Sequence, residues 1–199
     1  MFTNERASKD ENGQDNILTQ KLLDTRNIVI SGDINQKLAQ KISAQLLILQ
    51  ELGQQPIKLF INSQGGHVEA GDTIHDMIRF VRPQVYIVGT GWVASAGVNI
   101  FLSVDSKYRF SLPNTRYMIH QPSGGVQGQT TDIAIEAKEI IKIKERINQL
   151  ISTQTGQPLE RVQKDTERNF WMSARQAVEY GIVGKVIASQ AELDQAIGN

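Results

Sequence analysis

The chain contains no cysteine, so a disulfide, a thiol nucleophile and any cysteine-based metal site are excluded. It has no charge excess either: 21 basic residues stand against 21 acidic ones. A neutral chain lacks the electrostatic footprint of a nucleic-acid binder. No apolar run approaches the roughly 20 residues that cross a bilayer, which argues against a membrane partner. The three histidines, at 67, 75 and 120, show no HExxH-like spacing, so no metal ligand set is expected. The opening stretch MFTNERASKDENGQDN is polar and has no apolar signal-peptide core, which points to a cytoplasmic protein. Residues 1–17 read as a flexible N-terminal segment and 18–199 as a single domain, large enough for a real core.

Helix and strand signals alternate along the rest. Asn27–Ser31 is a short β-branched run closed by Gly32-Asp33, and Asn35–Leu52 has helical spacing. Lys58–Ile61 reads as a strand, and Asn62–Gly66 turns the chain into a helix over Val68–Phe80. Gln84–Val88 is the next strand, Gly89-Thr90-Gly91 a turn, and Ala94–Ser103 a helix. Short strands follow on either side of Pro113-Asn114, then a Gly-rich loop, a long helix over Thr130–Thr153 and a short helix near Ser173–Tyr180. Repeated strand–turn–helix units predict an α/β domain whose sheet is covered on both faces. The long helix spans roughly 36 Å, at about 1.5 Å per residue. Its stripe of Ile133, Ala137, Ile140, Ile141, Ile147 and Leu150 needs another surface to cover it, which predicts an oligomer.

Two turns look alike, each following an apolar strand and opening a helix. In FINSQGGHVEAG, Gly65 and Gly66 allow backbone N–H groups to converge on an anion at a helix start. They suit a phosphate, an oxyanion or simply a tight turn, but neither nucleotide-binding glycine motif is present. In GWVASAGVNIF, Ser95 stands among Ala94, Ala96 and Gly97. It is either a small residue at a helix start or a nucleophile whose neighbours are kept small for a substrate. The surroundings are not the GxSxG elbow of α/β-hydrolases. His120, at a strand end before a Gly-rich loop, is a candidate base and shifts the balance towards catalysis. His67 and His75 read as surface or packing residues.

The segments INSQGGHVEAG, GWVASAGVNIFL, YMIHQPSGGVQGQTTDI and DTERNFWMSARQAVEYGIV resemble the proteolytic subunit of the Clp protease, in order and at family spacing, from about Leu18 to Ile187. The resemblance implies a crotonase-like spiral of ββα units, with the long helix at about 130–154 as the family's handle. It implies a serine endopeptidase acting on unfolded polypeptides inside two stacked heptameric rings, a tetradecamer. The implied partners are further copies of the chain and an AAA+ Clp unfoldase. That unfoldase consumes ATP, and the chain itself needs no cofactor. Carried over by motif, Ser95 is the nucleophile and His120 the general base. The N–H groups of Gly66 and Ala96 form the oxyanion hole, and Gly124 and Gly125 belong to the strand that pairs with substrate.

The sequence departs from the family where the triad acid is expected. DTERNFWMS places Asn169 there, which removes the anion that would orient His120 and stabilise its imidazolium. In trypsin-like enzymes the Asp-to-Asn change costs about 10⁴ in turnover. Asp165 and Glu167 lie close by in sequence, which leaves open whether either reaches His120. Gln64 replaces the family's common Pro and is expected to loosen the Gly-Gly turn. Two alternatives stand beside a weakened peptidase. One is a regulatory or structural subunit that co-assembles with an active paralogue. The other is a crotonase-type acyl-CoA enzyme, which would not require Ser95 and His120 together.

Overall fold

The computed structural model describes residues 17–122 and 127–198. A helix over residues 17–24 (α1) leads into strand β1 (Asn27–Ile34), helix α2 (Gln36–Leu52), β2 (Ile57–Gly66) and α3 (Val68–Phe80). Next come β3 (Val85–Ala94), the short α4 (Ala96–Phe101), β4 (Arg109–Ser111) and β5 (Arg116–Ile119). The long α5 (Thr130–Thr155) is followed by α6 (Leu159–Asp165), β6 (Phe170–Ser173), α7 (Ala174–Tyr180), β7 (Lys185–Val186) and α8 (Gln190–Ile197). None of the described helices is long and apolar enough to cross a membrane.

Local chemistry accounts for these elements. The Asn35 side chain caps α2, its oxygen accepting the Leu38 N–H at 3.0 Å. Ala39, Ile42, Leu46 and Leu49 then fall on one face of α2 and are buried. On β2 every second side chain, Ile57, Leu59, Ile61 and Ser63, is fully buried. Each fully buried Ile or Leu contributes about 1.5–3 kcal/mol.

Among the described residues the sheet has seven strands, with a path β1-β2-β3-β4-β7, β5 attached to β3 and β6 to β5. All pairings are parallel except β5 with β6. Parallel strands are buried on both faces, and β3 shows it: Ile87 enters the main core, while Tyr86 and Val88 join Phe110, Ile187 and Leu193 on the other side.

The strands run further than local turn signals indicate. Gly89-Thr90-Gly91 is not a turn; it lies inside β3. Between Ile61 paired with Gly89 and Ser63 paired with Val93 the register shifts, so β3 bulges away from β2. The strand also changes partner there. Ile87–Gly89 pair with β4 and Trp92–Ala94 pair with β5. Likewise Asn62–Gly66 belongs to β2, whose end pairs Gly65 and Gly66 with Asp33 and Ile34 of β1. The helix after Ser95 is correspondingly shorter than the sequence pattern suggests.

The stripe on α5 divides in two. Ile147 is 5 % exposed and packs in the subunit's own core, whereas Ile133 and Ile141 are 41 % and 56 % exposed. Near its base α5 is tied to α3: Arg146 donates two hydrogen bonds to the Asp72 carboxylate, at 3.0 and 2.5 Å.

Candidate active site

Three chain segments meet at the carboxyl ends of β2, β3 and β5. Ser95 lies between β3 and α4 with φ 56° and ψ −125°. This left-handed conformation is rare for a residue with a Cβ and costs about 1–3 kcal/mol. Tertiary contacts hold it there. The Ser95 N–H donates to the Met118 carbonyl of β5 at 2.9 Å, which fixes the serine beside the strand that ends at His120. His120 Nε2 is then 2.8 Å from Ser95 Oγ, across 25 residues of sequence.

The Gly-Gly segment abuts the same point. A Cβ on Gly65 (φ 99°) would lie 2.6 Å from Ser95 Cβ and 2.8 Å from the Ala94 carbonyl oxygen. A Cβ on Gly66 (φ 151°) would lie 2.2 Å from the Ile34 carbonyl oxygen. Only glycine permits this approach. Ser63 fixes the segment from below: its buried hydroxyl accepts the Gly65 N–H at 3.0 Å and donates to the Gly32 carbonyl at 2.6 Å. Gln64 does not leave the turn loose. With its amide oriented to satisfy both atoms, it donates to the Gly32 carbonyl at 3.3 Å and accepts the Asp33 N–H at 3.2 Å. The N-terminal ends of α3 and α4 are packed together as well, since a Cβ on Gly71 would come within 3.2 Å of Ala96 Cβ. Gly66 thus closes β2 just before α3, and Ala96 opens α4 directly after Ser95.

His120 is half-buried, and that burial pushes its pKa below the ordinary 6.5; a hydrogen bond with Asn169 opposes the shift in part. The segment that carries Asn169 is anchored to the histidine's own strand. The Gln121 N–H donates to the Thr166 carbonyl at 2.6 Å, and the Gln121 side chain donates to the Glu167 carbonyl at 3.0 Å. Thr166 is fully buried and its hydroxyl donates to the Asn148 side chain of α5 at 2.9 Å.

Asp165 is engaged elsewhere. Its carboxylate accepts the Tyr180 hydroxyl at 3.0 Å and lies 3.5 Å from Arg161 Nε. Glu167 is exposed. His67 pairs with Glu69 at the surface, 3.2 Å apart, and His75 donates from Nδ1 to the Asn99 carbonyl at 2.7 Å. Gly124 and Gly125 lie outside the described residues. Ser63 and Thr166, which shape the site without touching its centre, are indistinguishable in sequence from turn residues. A pocket opens beside Ser95 and His120, lined chiefly by Val68, Val98, Ile119 and Ile147, with Asn99 among them.

A strained serine bonded to a histidine, set against a Gly-Gly segment, is one arrangement for acyl transfer. Comparisons with known proteins agree. Residues 8–190 match the Clp protease family. The ATP-dependent Clp protease proteolytic subunit 3 of Rhizobium johnstonii is 50 % identical over 172 residues, covering 86 % of this chain and 89 % of the relative. Two solved structures from Listeria monocytogenes, ClpP1 and an Asn-to-Asp mutant of ClpP1, are each 58 % identical and cover 88 % of this chain and 99 % of theirs, with TM-scores of 0.80 and 0.83. The chain belongs to the Clp protease family and is a serine peptidase.

Proposed function

We propose that the chain is the proteolytic subunit of an ATP-dependent Clp protease, an endopeptidase for unfolded polypeptides in the cytoplasm, with Ser95, His120 and Asn169 as its catalytic triad. The 2.8 Å contact between Ser95 Oγ and His120 Nε2 carries this reading. Ser95 Oγ attacks the peptide carbonyl carbon while its proton passes to Nε2. The oxyanion is held by the N–H groups of Gly66 and Ala96; donors of this kind are each worth about 2.7–4 kcal/mol. Collapse breaks the C–N bond, and the leaving amine takes the proton from His120. Water then repeats the sequence on the acyl-enzyme, returning Ser95 to its starting state.

The lowered pKa of His120 keeps the imidazole neutral and ready to accept at pH 7. It also makes the imidazolium formed during attack harder to stabilise. The Asn169 amide oxygen can accept the Nδ1–H and hold the required tautomer, but it supplies no countercharge. The exposed stripe at Ile133 and Ile141 is the surface by which copies of the chain meet across two heptameric rings. An AAA+ unfoldase would feed substrate and use the ATP.

A second reading is that the subunit works mainly within mixed assemblies with a more active paralogue. The uncharged and exposed Asn169 favours it. Turnover of a fluorogenic peptide by the pure protein, repeated with an added paralogous subunit, tests both. Slow hydrolysis that passes through Ser95 supports the first reading. Hydrolysis only in the mixture supports the second. None in either, with no reaction at Ser95 towards a fluorophosphonate, refutes the peptidase assignment.

A further inference from the structure

We propose that Asn99 is a specificity-determining residue: its side-chain amide selects substrates whose side chain on the acyl side of the cleaved bond carries a hydrogen-bonding group. The inference rests on the peptidase reading of Ser95. Asn99 lies within the short α4 that begins directly after Ser95. It lines the pocket next to Ser95 and His120, and it is only 3 % exposed. The remaining wall is mostly apolar, from Val68, Val98, Ile119, Ile147 and Ile151. The backbone carbonyl of Asn99 is taken by His75, at 2.7 Å, which holds this turn of α4 in place. Among the described residues the side-chain amide has no hydrogen-bond partner, although it offers two donors and an acceptor.

A purely packing role would be filled better by Leu, which has nearly the same shape and no polar atoms to desolvate. An amide in an apolar pocket is instead suited to a guest that brings its own amide, because two such groups satisfy each other's donor and acceptor. An apolar guest of the same size leaves the Asn99 amide unpaired and dry. Pockets built to hydrogen-bond a guest discriminate strongly against the analogue that cannot bond. The pair Gln and Met, similar in length and volume, isolates this difference from size.

Two peptidyl phosphonate esters, one with a Gln-like and one with a Met-like side chain next to phosphorus, would be reacted with the full-length protein. The rate of covalent modification of Ser95 would be followed by mass spectrometry. The Gln-like probe is expected to react about tenfold faster. In Asn99→Leu the order should reverse, with the Met-like probe gaining. Asn99→Ser, which adds no apolar bulk, should lose the preference as well and guards against misfolding of the Leu variant. Equal rates for the two probes in the wild-type protein, or a preference that survives both substitutions, would overturn the role of Asn99 alone. Failure of both probes to modify Ser95 would overturn the peptidase reading and the inference with it.

Discussion

Replacing Asn169 by Asp adds the one charge that the site lacks, and the structure sets the size of the expected gain. A carboxylate about 4 Å from the imidazolium attracts it by about 4 kcal/mol at an effective dielectric constant of 20. Asn169 is exposed, so water screens much of that, and fully exposed pairs contribute only about 0–1 kcal/mol. His120 is half-buried, which places the site between these limits. A barrier lower by about 1.4–2.8 kcal/mol follows, or roughly 10- to 100-fold in kcat. The gain belongs in kcat more than in KM, because the charge pair exists only once His120 holds the serine proton. The pH profile gives an independent signature. In the wild-type protein burial holds His120 below 6.5, and activity should fall on the acid side through that lowered value as the base becomes protonated. The new carboxylate favours the protonated ring, so the acid limb of Asn169→Asp should move to higher pH by about one unit. The assay is hydrolysis of a fluorogenic peptide from pH 5 to 9, with assembly checked by sedimentation. An unchanged kcat in a correctly assembled variant, or an acid limb that stays put, would refute the placement of Asn169 beside Nδ1.

Gly65→Ala should be severe for so small a change. The methyl group would sit 2.6 Å from Ser95 Cβ on a backbone with φ 99°, so a loss of about 2–4 kcal/mol in urea unfolding and a more than tenfold fall in fluorophosphonate labelling are expected. Ile133→Lys with Ile141→Lys should leave the subunit folded, because both side chains are exposed, yet under the proposed double-ring assembly it should give smaller species in sedimentation. Ile147→Lys should instead abolish folding, since it places an unpaired charge at a site only 5 % exposed. An unaltered sedimentation profile for the first variant, or a stable fold for the second, would contradict the division of α5 drawn here.

Much of the fold was legible because local chemistry and tertiary structure agree. Asn35 caps α2 as its residue type suggests, and the apolar spacing of α2 and α3 marks the faces they bury. Disagreement begins where a ladder overrides a turn signal. Gly89-Thr90-Gly91 has turn composition, yet pairing on either side keeps it within β3 as a bulge. The stripe of α5 reads as one surface in sequence, but the three-dimensional path of the chain places Ile147 inside and Ile141 outside. At the site, Ser95 and His120 were each visible from the small residues and the strand end around them. Their meeting depends on the Ser95 N–H bonding β5, a contact between distant segments that no local pattern encodes. Asp165 illustrates the converse. Four residues from Asn169 in sequence, it offers a nearby charge, but Tyr180 and Arg161 hold it. Asn99 carries no sequence signal, because only the packed pocket shows an amide with no hydrogen-bond partner among the described residues.

The central claim is that chemistry passes through the Ser95 hydroxyl with His120 as its base. Labelling the full-length protein with a fluorophosphonate, followed by mapping of the modified peptide, tests it most directly. The account predicts a single adduct on Ser95, absent in Ser95→Ala and formed at least about 100-fold more slowly in His120→Ala. An adduct on another residue, or undiminished peptide hydrolysis in a Ser95→Ala protein that still assembles, would contradict it.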